Sequence, residues 1–165
     1  GHLISQDIFD HKIKLMNTYA RRLGLNNMEA RLGDALVLND DYIGKFDYVL
    51  CDVPCSGMGI VRRKPEIKYK KEEEVLNLPD LQYQILENAS SYLKEGGILI
   101  YSTCTIFKQE NTDVVDRFLN NHKDFDLDDL GPIKEFLGIG DKGLVKILPD
   151  RYEMDGFFIS RMKKI

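Results

Sequence analysis

Short apolar runs alternate along the chain with longer segments in which apolar residues recur at helical spacing. The short runs are typical of strands, and the longer segments predict amphipathic helices. Gly24 follows the first such segment as a stop signal, and Pro79 suits the first turn of the second. We therefore predict strands at residues 3–7, 28–32, 46–52, 98–102, 144–148 and 156–162, and helices at 10–23, 79–93 and 111–119.

This alternation of strands and helices indicates an open α/β sheet. Residues 98–102 are almost continuously apolar, as a parallel strand buried on both faces requires. Ligands of such sheets bind at the carboxyl ends of the strands. Those ends carry Asp7, Asp34, Asp52 and Cys104, and we expect these side chains to face one crevice.

Four stretches lie outside these elements. Residues 95–97, Glu-Gly-Gly, are predicted to end the second helix, and the polar stretch 56–77 has no assigned element. The acidic residues 124–129 are predicted to form a solvated loop. The glycine-rich residues 138–143 are predicted to form an ordinary turn.

The bulk composition narrows the function classes. With 165 residues, of which 43% are hydrophobic and 30% charged, the chain is typical of one globular domain. We expect neither a membrane-spanning helix nor a signal peptide, because the required apolar runs are not found. The net charge of -4 argues against a freestanding nucleic-acid-binding module, but not against an enzyme whose RNA affinity comes from another domain.

The three cysteines, Cys51, Cys55 and Cys104, are odd in number and lack the spacing of metal ligands. This pattern predicts free thiols in a reducing compartment, and the cytoplasm is the expected location. A zinc site is not expected, because Cys51 and Cys55 have no second pair and the histidines lie far away in the sequence.

Two of the thiols follow successive predicted strands of the sheet. Cys55 comes just beyond the strand that ends at Asp52, and Cys104 follows the strand at 98–102. A single Pro-Cys step is more often a buried cysteine in a tight turn, but two thiols at neighbouring strand ends are hard to explain by packing. They predict a catalytic pair. Methylation at C5 of a pyrimidine needs one thiolate to add to C6 and a second group to assist release.

Two segments carry a family resemblance. Residues 52–59, Asp-Val-Pro-Cys-Ser-Gly-Met-Gly, and residues 101–105, Tyr-Ser-Thr-Cys-Thr, followed by Glu110 and Asn111, resemble the signature motifs of the Nol/Nop/Sun RNA 5-methylcytosine methyltransferases. The likeness is greatest to the bacterial branch, called Sun or Fmu, that acts on small-subunit ribosomal RNA. Weaker likenesses extend it over nearly the whole chain, at residues 21–25, 33–35, 62–67 and 155–161.

The resemblance implies a Rossmann-like class I S-adenosylmethionine-dependent methyltransferase fold. It implies that Cys104 is the nucleophile and that Cys55 helps to release the product. In the DNA cytosine methyltransferases, by contrast, the Pro-Cys cysteine attacks. The resemblance also implies that Asp34 bonds the adenine amino group and that Asp52 lies between the methionine end of the cofactor and the target base. Asp7 can accept the ribose hydroxyls, as an acid does in dinucleotide sites.

A basic segment follows the Pro-Cys loop and is the candidate RNA contact. As a cluster on the rim of the site it could hold RNA phosphates, and its arginines could also stack on bases. For each residue taken singly, a solvated surface loop is an equally good interpretation. The expected substrate is 16S ribosomal RNA, whose target base must leave its stack to reach the thiols. The candidates are Arg62, Arg63 and Lys64, with Lys68, Lys70 and Lys71 further along.

Parts of the family pattern are not found before Leu3. These are the first strand with its glycine-rich loop, which holds the methionine end of the cofactor, and the N-terminal RNA-binding domains. We therefore expect residues 1–165 to be the C-terminal part of a methyltransferase catalytic domain that binds S-adenosylmethionine weakly or not at all. The missing strand would lie between those ending at Asp7 and Asp52. Without that strand, its two neighbours must pair with each other, pair with another chain or leave an exposed edge that favours self-association.

Two other functions stay open on the sequence. A non-catalytic RNA-binding or assembly module with the same fold would account for the missing loop. A methyltransferase acting on tRNA would carry the same two cysteine motifs, which weigh against a protein substrate. RNA binding without methyl transfer would identify the first alternative, and mapping of the modified bases would separate rRNA from tRNA.

Overall fold

The computed structural model of the chain describes residues 1–131, 142–152 and 154–165. Two compact units, Gly1–Asn39 and Asp40–Ile165, are each described by themselves. The strands are β1 (Leu3–Asp7), β2 (Met28–Leu32), β3 (Phe46–Asp52), β4 (Leu93–Thr103), β5 (Phe125–Leu127), β6 (Leu144–Ile147) and β7 (Phe157–Lys164), and the helices are α1 (Asp10–Leu23), α2 (Glu72–Leu76), α3 (Leu78–Ser91), α4 (Thr112–Asn121) and α5 (Pro149–Tyr152).

The first unit is a strand–helix–strand arrangement, as predicted. β1 and β2 form a two-stranded parallel sheet in which Asp7 is paired with Leu32, and α1 connects them. The helix ends because Gly24 adopts a φ of 67°, in the left-handed region that glycine enters without a steric penalty. The N–H of Gly33 donates to the carbonyl of Asp7 at 3.1 Å, so Asp34 leaves the sheet beside the end of β1.

The second unit is built on a sheet in the order β3-β4-β7-β5, with β6 also paired to β7. β3 and β4 are parallel, and β7 runs antiparallel to β4, β5 and β6. α3 lies between β3 and β4 in the chain, because parallel neighbours need a crossover connection. β5 pairs with the last residues of β7, and β6 pairs with its first residues. Both short strands therefore lie along the edge of β7 that faces away from β4.

One apolar cluster forms most of the core of this unit. It combines side chains of β4 and β7 with side chains of α3 and α4. Alternate residues of β7 are buried, which is the period of a strand with one face on a core. The members that are fully buried include Leu86, Leu99, Tyr101, Phe118 and Met162.

β3 has an exposed apolar face. Val49 and Cys51 pack in the core, whereas Tyr48 and Leu50, on the opposite face, are 70% and 66% exposed. Within the described ranges β3 pairs with β4 alone. An edge strand that exposes apolar residues favours association with a further strand.

The predicted α/β organisation is confirmed, but the predicted end of the second helix is wrong. The helix stops at Ser91, and Leu93 with residues 94–97 belongs to β4. The pairing with β3 shifts register in this stretch, and Gly96 adopts a φ of 74°. The glycines therefore allow an irregularity within a strand, not the end of a helix.

Two stretches predicted without regular structure contain short elements. The acidic stretch 124–129 includes β5, because Phe125 is buried in the core while the flanking aspartates stay outside. The polar stretch 56–77 contains the 3-10 segment Pro65–Tyr69 and α2. Residues 138–141 of the predicted glycine-rich turn lie outside the described residues.

We predict that Leu99→Ala lowers the free energy of unfolding by about 3 kcal/mol, because it removes buried methyl groups and leaves a cavity. Leu99 is fully buried, whereas Leu50 on the neighbouring strand is 66% exposed. Leu50→Ala is therefore the matched control and should change the free energy by less than about 1 kcal/mol. Urea unfolding followed by circular dichroism measures both values, and equal losses would contradict this core assignment.

Candidate active site

The Pro-Cys loop begins where β3 ends. Asp52 is the last residue of β3 and is paired with Ser102 of β4. The N–H of Val53 continues this contact by donating to the carbonyl of Ser102 at 3.2 Å. Gly57 then adopts a φ of 77°, which allows the chain to turn back directly after Cys55.

The structure brings Cys55 and Cys104 into contact. Cys104 comes directly after Thr103, the last residue of β4. Because β3 and β4 are parallel, both strands end at the same edge of the sheet. The Sγ atoms of the two cysteines lie 3.1 Å apart, and both side chains are partly buried free thiols.

The two thiols change each other's ionisation. The hydrogen bond from the Cys55 thiol lowers the pKa of Cys104, against the opposing effects of burial and of the Asp52 carboxylate, and the charge of Lys70 assists. The same contact, together with burial, raises the pKa of Cys55. The pair therefore favours a thiolate at Cys104 with the remaining proton on Cys55.

The third cysteine has a different environment. Cys51 lies on β3, one residue before Asp52, and its side chain packs in the core. Burial raises its pKa to about 12, so it stays a protonated thiol at neutral pH. Cys51 is therefore a natural internal control for experiments on the other two cysteines.

Backbone contacts hold the two cysteine loops together. The N–H of Gly59 donates to the carbonyl of Cys104 at 2.9 Å, and the N–H of Gly156 donates to the carbonyl of Gly59 at 2.8 Å. A Cβ atom at Gly59 would lie 2.7 Å from the carbonyl oxygen of Cys104 and still closer to that of Gly156. Only glycine fits this crossing of three backbone segments.

A hydroxyl pair adds a second contact between the loops. Ser56 and Thr105 directly follow the two cysteines, and their hydroxyl oxygens lie 2.8 Å apart in a buried position. Neither residue was predicted to matter. The signal in the sequence is that a hydroxyl residue follows each of the paired cysteines, in Cys55-Ser56 and in Cys104-Thr105.

Lys70 is attached to the Pro-Cys loop. Its Nζ donates to the carbonyl of Ser56 at 2.9 Å. Ile67, in the 3-10 segment that ends just before Lys70, is buried and lies next to Gly57. The basic segment is therefore attached to the loop at two points, through Lys70 and through Ile67.

The three predicted RNA-binding residues lie on the surface. Arg62, Arg63 and Lys64 are exposed in the turn that precedes the 3-10 segment. Arg63 forms an ion pair with Asp155, which lies shortly before β7. The structure thus places the three residues between the Pro-Cys loop and the 3-10 segment that precedes Lys70, and their contact with RNA stays a prediction.

Asp52 lies at the same edge as the thiols. The hydroxyl of Ser102 donates to its Oδ1 at 3.1 Å, and the side chain is exposed. Its charge opposes ionisation of Cys104 and so acts to raise the pKa of that thiol. Its predicted place between cofactor and target base stays a prediction.

Asp7 and Asp34 lie together at the carboxyl end of the two-stranded sheet. Asp7 accepts from the N–H of Phe9 at 3.0 Å and from Lys12 at 3.1 Å, and Asp34 accepts from the N–H of Leu36 at 2.9 Å. Burial disfavours the charged form of Asp7, but these donors outweigh it and hold its pKa below the usual value. Both residues therefore have local turn contacts, and one crevice shared with Asp52 and Cys104 stays a prediction.

Among the helices of the described ranges, none is both long and apolar enough to cross a membrane. Within the same ranges, no three side chains of His, Cys, Asp or Glu are arranged to hold a metal ion.

We predict that Cys55→Ala raises the pKa of Cys104, because it removes the thiol that donates to the Cys104 thiolate. The rate of alkylation of Cys104 by iodoacetamide should therefore reach its half-maximum at a higher pH than in the wild type. Cys51→Ala is the control, since Cys51 lies in the core. Mass spectrometry of the alkylated peptides measures the profiles, and an unchanged midpoint in Cys55→Ala would refute the coupling of the two thiols.

Comparison with known proteins identifies relatives of the whole chain. The family model described as 16S rRNA methyltransferase RsmB/F matches residues 1–163. A Bacillus subtilis protein named probable ribosomal RNA small subunit methyltransferase B is 39% identical over 170 residues. The match covers 99% of this chain and 38% of that protein, so the chain spans well under half of the relative's length.

Two solved structures share the fold. The structure titled PH0851 has a TM-score of 0.90 with 29% identity, covering 99% of this chain and 37% of that one. The structure of NSun6 from Pyrococcus horikoshii with SFG has a TM-score of 0.84 with 26% identity, covering 99% of this chain and 41% of that one. The predicted Rossmann-like methyltransferase fold is confirmed. The chain belongs to the RsmB/F family of 16S rRNA methyltransferases.

Proposed function

We propose that this chain carries the acceptor half of the active site of an S-adenosylmethionine-dependent RNA cytosine-5 methyltransferase, with 16S ribosomal RNA as substrate. The observation that supports this function best is the 3.1 Å contact between Cys55 and Cys104 at the ends of two parallel strands. Family membership supports RNA methylation in general. The pair of thiols supports position C5 of cytosine, because that reaction needs a nucleophile and a second group for release.

In the proposed mechanism the Cys104 thiolate adds to C6 of the target cytosine and a C–S bond forms. The added electron density makes C5 nucleophilic, and C5 receives the methyl group. A base then removes the C5 proton, and the C–S bond breaks to return Cys104 to the thiolate. Cys55 is in contact with the departing sulfur. It can serve as this base once its own proton has passed to solvent while Cys104 is bound to carbon.

S-adenosylmethionine supplies the methyl group in this proposal. Asp7 would accept hydrogen bonds from the ribose hydroxyls, and Asp34 would accept one from the adenine amino group. Asp52 would lie between the methionine end of the cofactor and the target cytosine. These roles fit the groups present, because each carboxylate oxygen can accept two hydrogen bonds. The turn contacts of Asp7 and Asp34 therefore leave acceptor capacity for the cofactor.

RNA would approach over the basic segment. Arg62 and Lys64 are exposed beside the Pro-Cys loop and could hold phosphates. Arg63 could do the same while sharing its charge with Asp155. The partly buried position of both thiols requires that the target base be unstacked and turned into the site. A cytoplasmic location is part of the proposal, because the reaction requires both thiols to stay reduced.

We propose that the rest of the site belongs to a longer parent protein. The chain spans 38% of the Bacillus subtilis relative, and β3 exposes an apolar face at the edge of its sheet. In this arrangement the chain is the C-terminal part of the catalytic domain. A preceding strand with a glycine-rich loop would complete the cofactor site, and N-terminal domains would bind RNA. Self-association through the exposed edge is the alternative for the isolated chain.

We predict that Cys104→Ala abolishes methyl transfer by the parent protein, because no thiolate remains to activate C5. Cys55→Ala should instead accumulate a covalent protein–RNA adduct, because addition proceeds and release fails. Denaturing gel electrophoresis with labelled 16S RNA detects the adduct. Cys51→Ala should behave as the wild type.

Four outcomes would contradict the proposal. Normal turnover by Cys104→Ala would overturn the assigned roles, and an adduct formed by Cys104→Ala but not by Cys55→Ala would reverse them. RNA binding without methyl transfer by the wild-type parent protein would favour a non-catalytic module. Methylation of tRNA but not of 16S RNA would correct the substrate.

We also predict that the isolated chain binds S-adenosylmethionine weakly or not at all, because the proposed division of the site assigns the loop that holds the methionine end to another part of the parent protein. Isothermal titration calorimetry of the chain measures this directly. A dissociation constant in the micromolar range would show that Asp7, Asp34 and Asp52 are sufficient, and would refute the proposed division of the site.

A further inference from the structure

Buried polar side chains of the second unit cluster behind the two thiols. Of the eight polar or charged side chains that are buried in the described ranges, six lie in this cluster. Polar groups are expensive to bury unless they are hydrogen-bonded, so such a concentration within an otherwise apolar core indicates a function. The six residues are Ser56, Gln82, Thr103, Thr105, Glu110 and Asn111.

Both peptide groups that flank Cys55 are held by buried side chains. The N–H of Ser56 donates to Oε2 of Glu110 at 2.8 Å. The carbonyl of Pro54 accepts from Nε2 of Gln82 at 2.9 Å. The same amide of Gln82 also donates to Oε2 of Glu110 at 3.0 Å. The backbone on each side of Cys55 is therefore fixed from within the protein.

The residues that flank Cys104 are held in the same manner by Asn111. The hydroxyl of Thr103 donates to Oδ1 of Asn111 at 2.6 Å. Nδ2 of Asn111 donates to the carbonyl of Thr105 at 3.0 Å. One side-chain amide thus bonds the residue before Cys104 and the residue after it, using both its acceptor and its donor.

Glu110 and Asn111 are adjacent in the chain, so the two loops are attached to the same short segment. The hydroxyl of Tyr101 donates to the carbonyl of Glu110 at 2.6 Å, which joins this segment to β4. Consecutive Cα atoms are separated by a fixed distance of about 3.8 Å. A change in the spacing of the two loops would therefore break at least one of the buried hydrogen bonds.

We infer that Glu110 and Asn111 are positioning residues that together hold the Cys55 and Cys104 loops so that the two Sγ atoms stay in contact. Glu110 acts on Cys55 and Asn111 acts on Cys104. The catalytic meaning of this contact rests on the proposed function, but the contact itself can be measured without RNA or cofactor.

The test is the pH profile of Cys104 alkylation by iodoacetamide in the folded chain. Glu110→Ala removes the acceptor that Ser56 and Gln82 share, so the peptide group after Cys55 loses the side chain that fixes it and the Cys55 loop is held less closely against Cys104. We expect the midpoint to rise by about one pH unit, and the alkylation rate near neutral pH to fall about fivefold to tenfold. A merely structural role for Glu110 would lower the unfolding midpoint in urea and leave the pH profile unchanged.

Two further variants make this result specific. Glu110→Gln keeps an acceptor oxygen for Ser56 and Gln82, so its midpoint should stay within about 0.3 pH units of the wild type. Ser90→Ala is the control for loss of a buried polar group, because Ser90 is buried and donates to the carbonyl of Glu87 on α3. It should leave the profile unchanged.

An unchanged profile in folded Glu110→Ala would overturn the inference, as would an equal shift in Ser90→Ala. If Glu110→Ala does not fold, Gln82→Leu decides, since it removes the donor to Pro54 and to Glu110. A raised midpoint in Gln82→Leu supports the inference and an unchanged one overturns it. If Glu110→Ala shifts the pH profile but the wild-type parent protein does not transfer a methyl group, the proposed function is refuted and the positioning role stands.

Discussion

The parallel pairing of β3 with β4 is the constraint on which the rest of the site depends. Register pairs Asp52 with Ser102, so the two strands leave the sheet at the same edge and their following loops are neighbours. The thiol contact, the crossing at Gly59 and the buried hydroxyl pair all exist because two loops that are 49 residues apart in sequence begin at adjacent points. An antiparallel or shifted pairing would separate the cysteines.

The site combines an apolar core with a compact polar cluster directly behind the reactive sulfurs. The cluster is costly to bury, and its hydrogen bonds to the peptide groups around Cys55 and Cys104 offset part of that cost. A contact between two flexible loops would leave the sulfurs at variable distances. Loops held by these bonds keep the sulfurs in contact, and this contact lowers the pKa of Cys104 and raises that of Cys55.

The correct and incorrect predictions have separate physical causes. The strand–helix alternation follows from local apolar patterning and was predicted correctly. β5 was missed because one buried residue, Phe125, outweighs the acidic residues around it. The glycines at 96 and 97 were interpreted as the end of a helix because a bulge within a strand and a helix stop use the same residue. Asp7 and Asp34 have the local turn contacts that any aspartate after a strand can have, so their positions alone do not distinguish a ligand from a turn.

The sequence by itself determined the α/β class, the two cysteine motifs and the family resemblance, because these depend on residue type and on spacing within short segments. It could not determine that Glu110 reaches the peptide after Cys55 or that Asn111 bonds both neighbours of Cys104. Those contacts join residues from different elements, and only the packing of α3 and the segment after β4 against the sheet decides them. The distance between the two sulfurs, and with it the ionisation of Cys104, is likewise a property of tertiary structure, since it depends on strand pairing and on buried hydrogen bonds that local sequence does not specify.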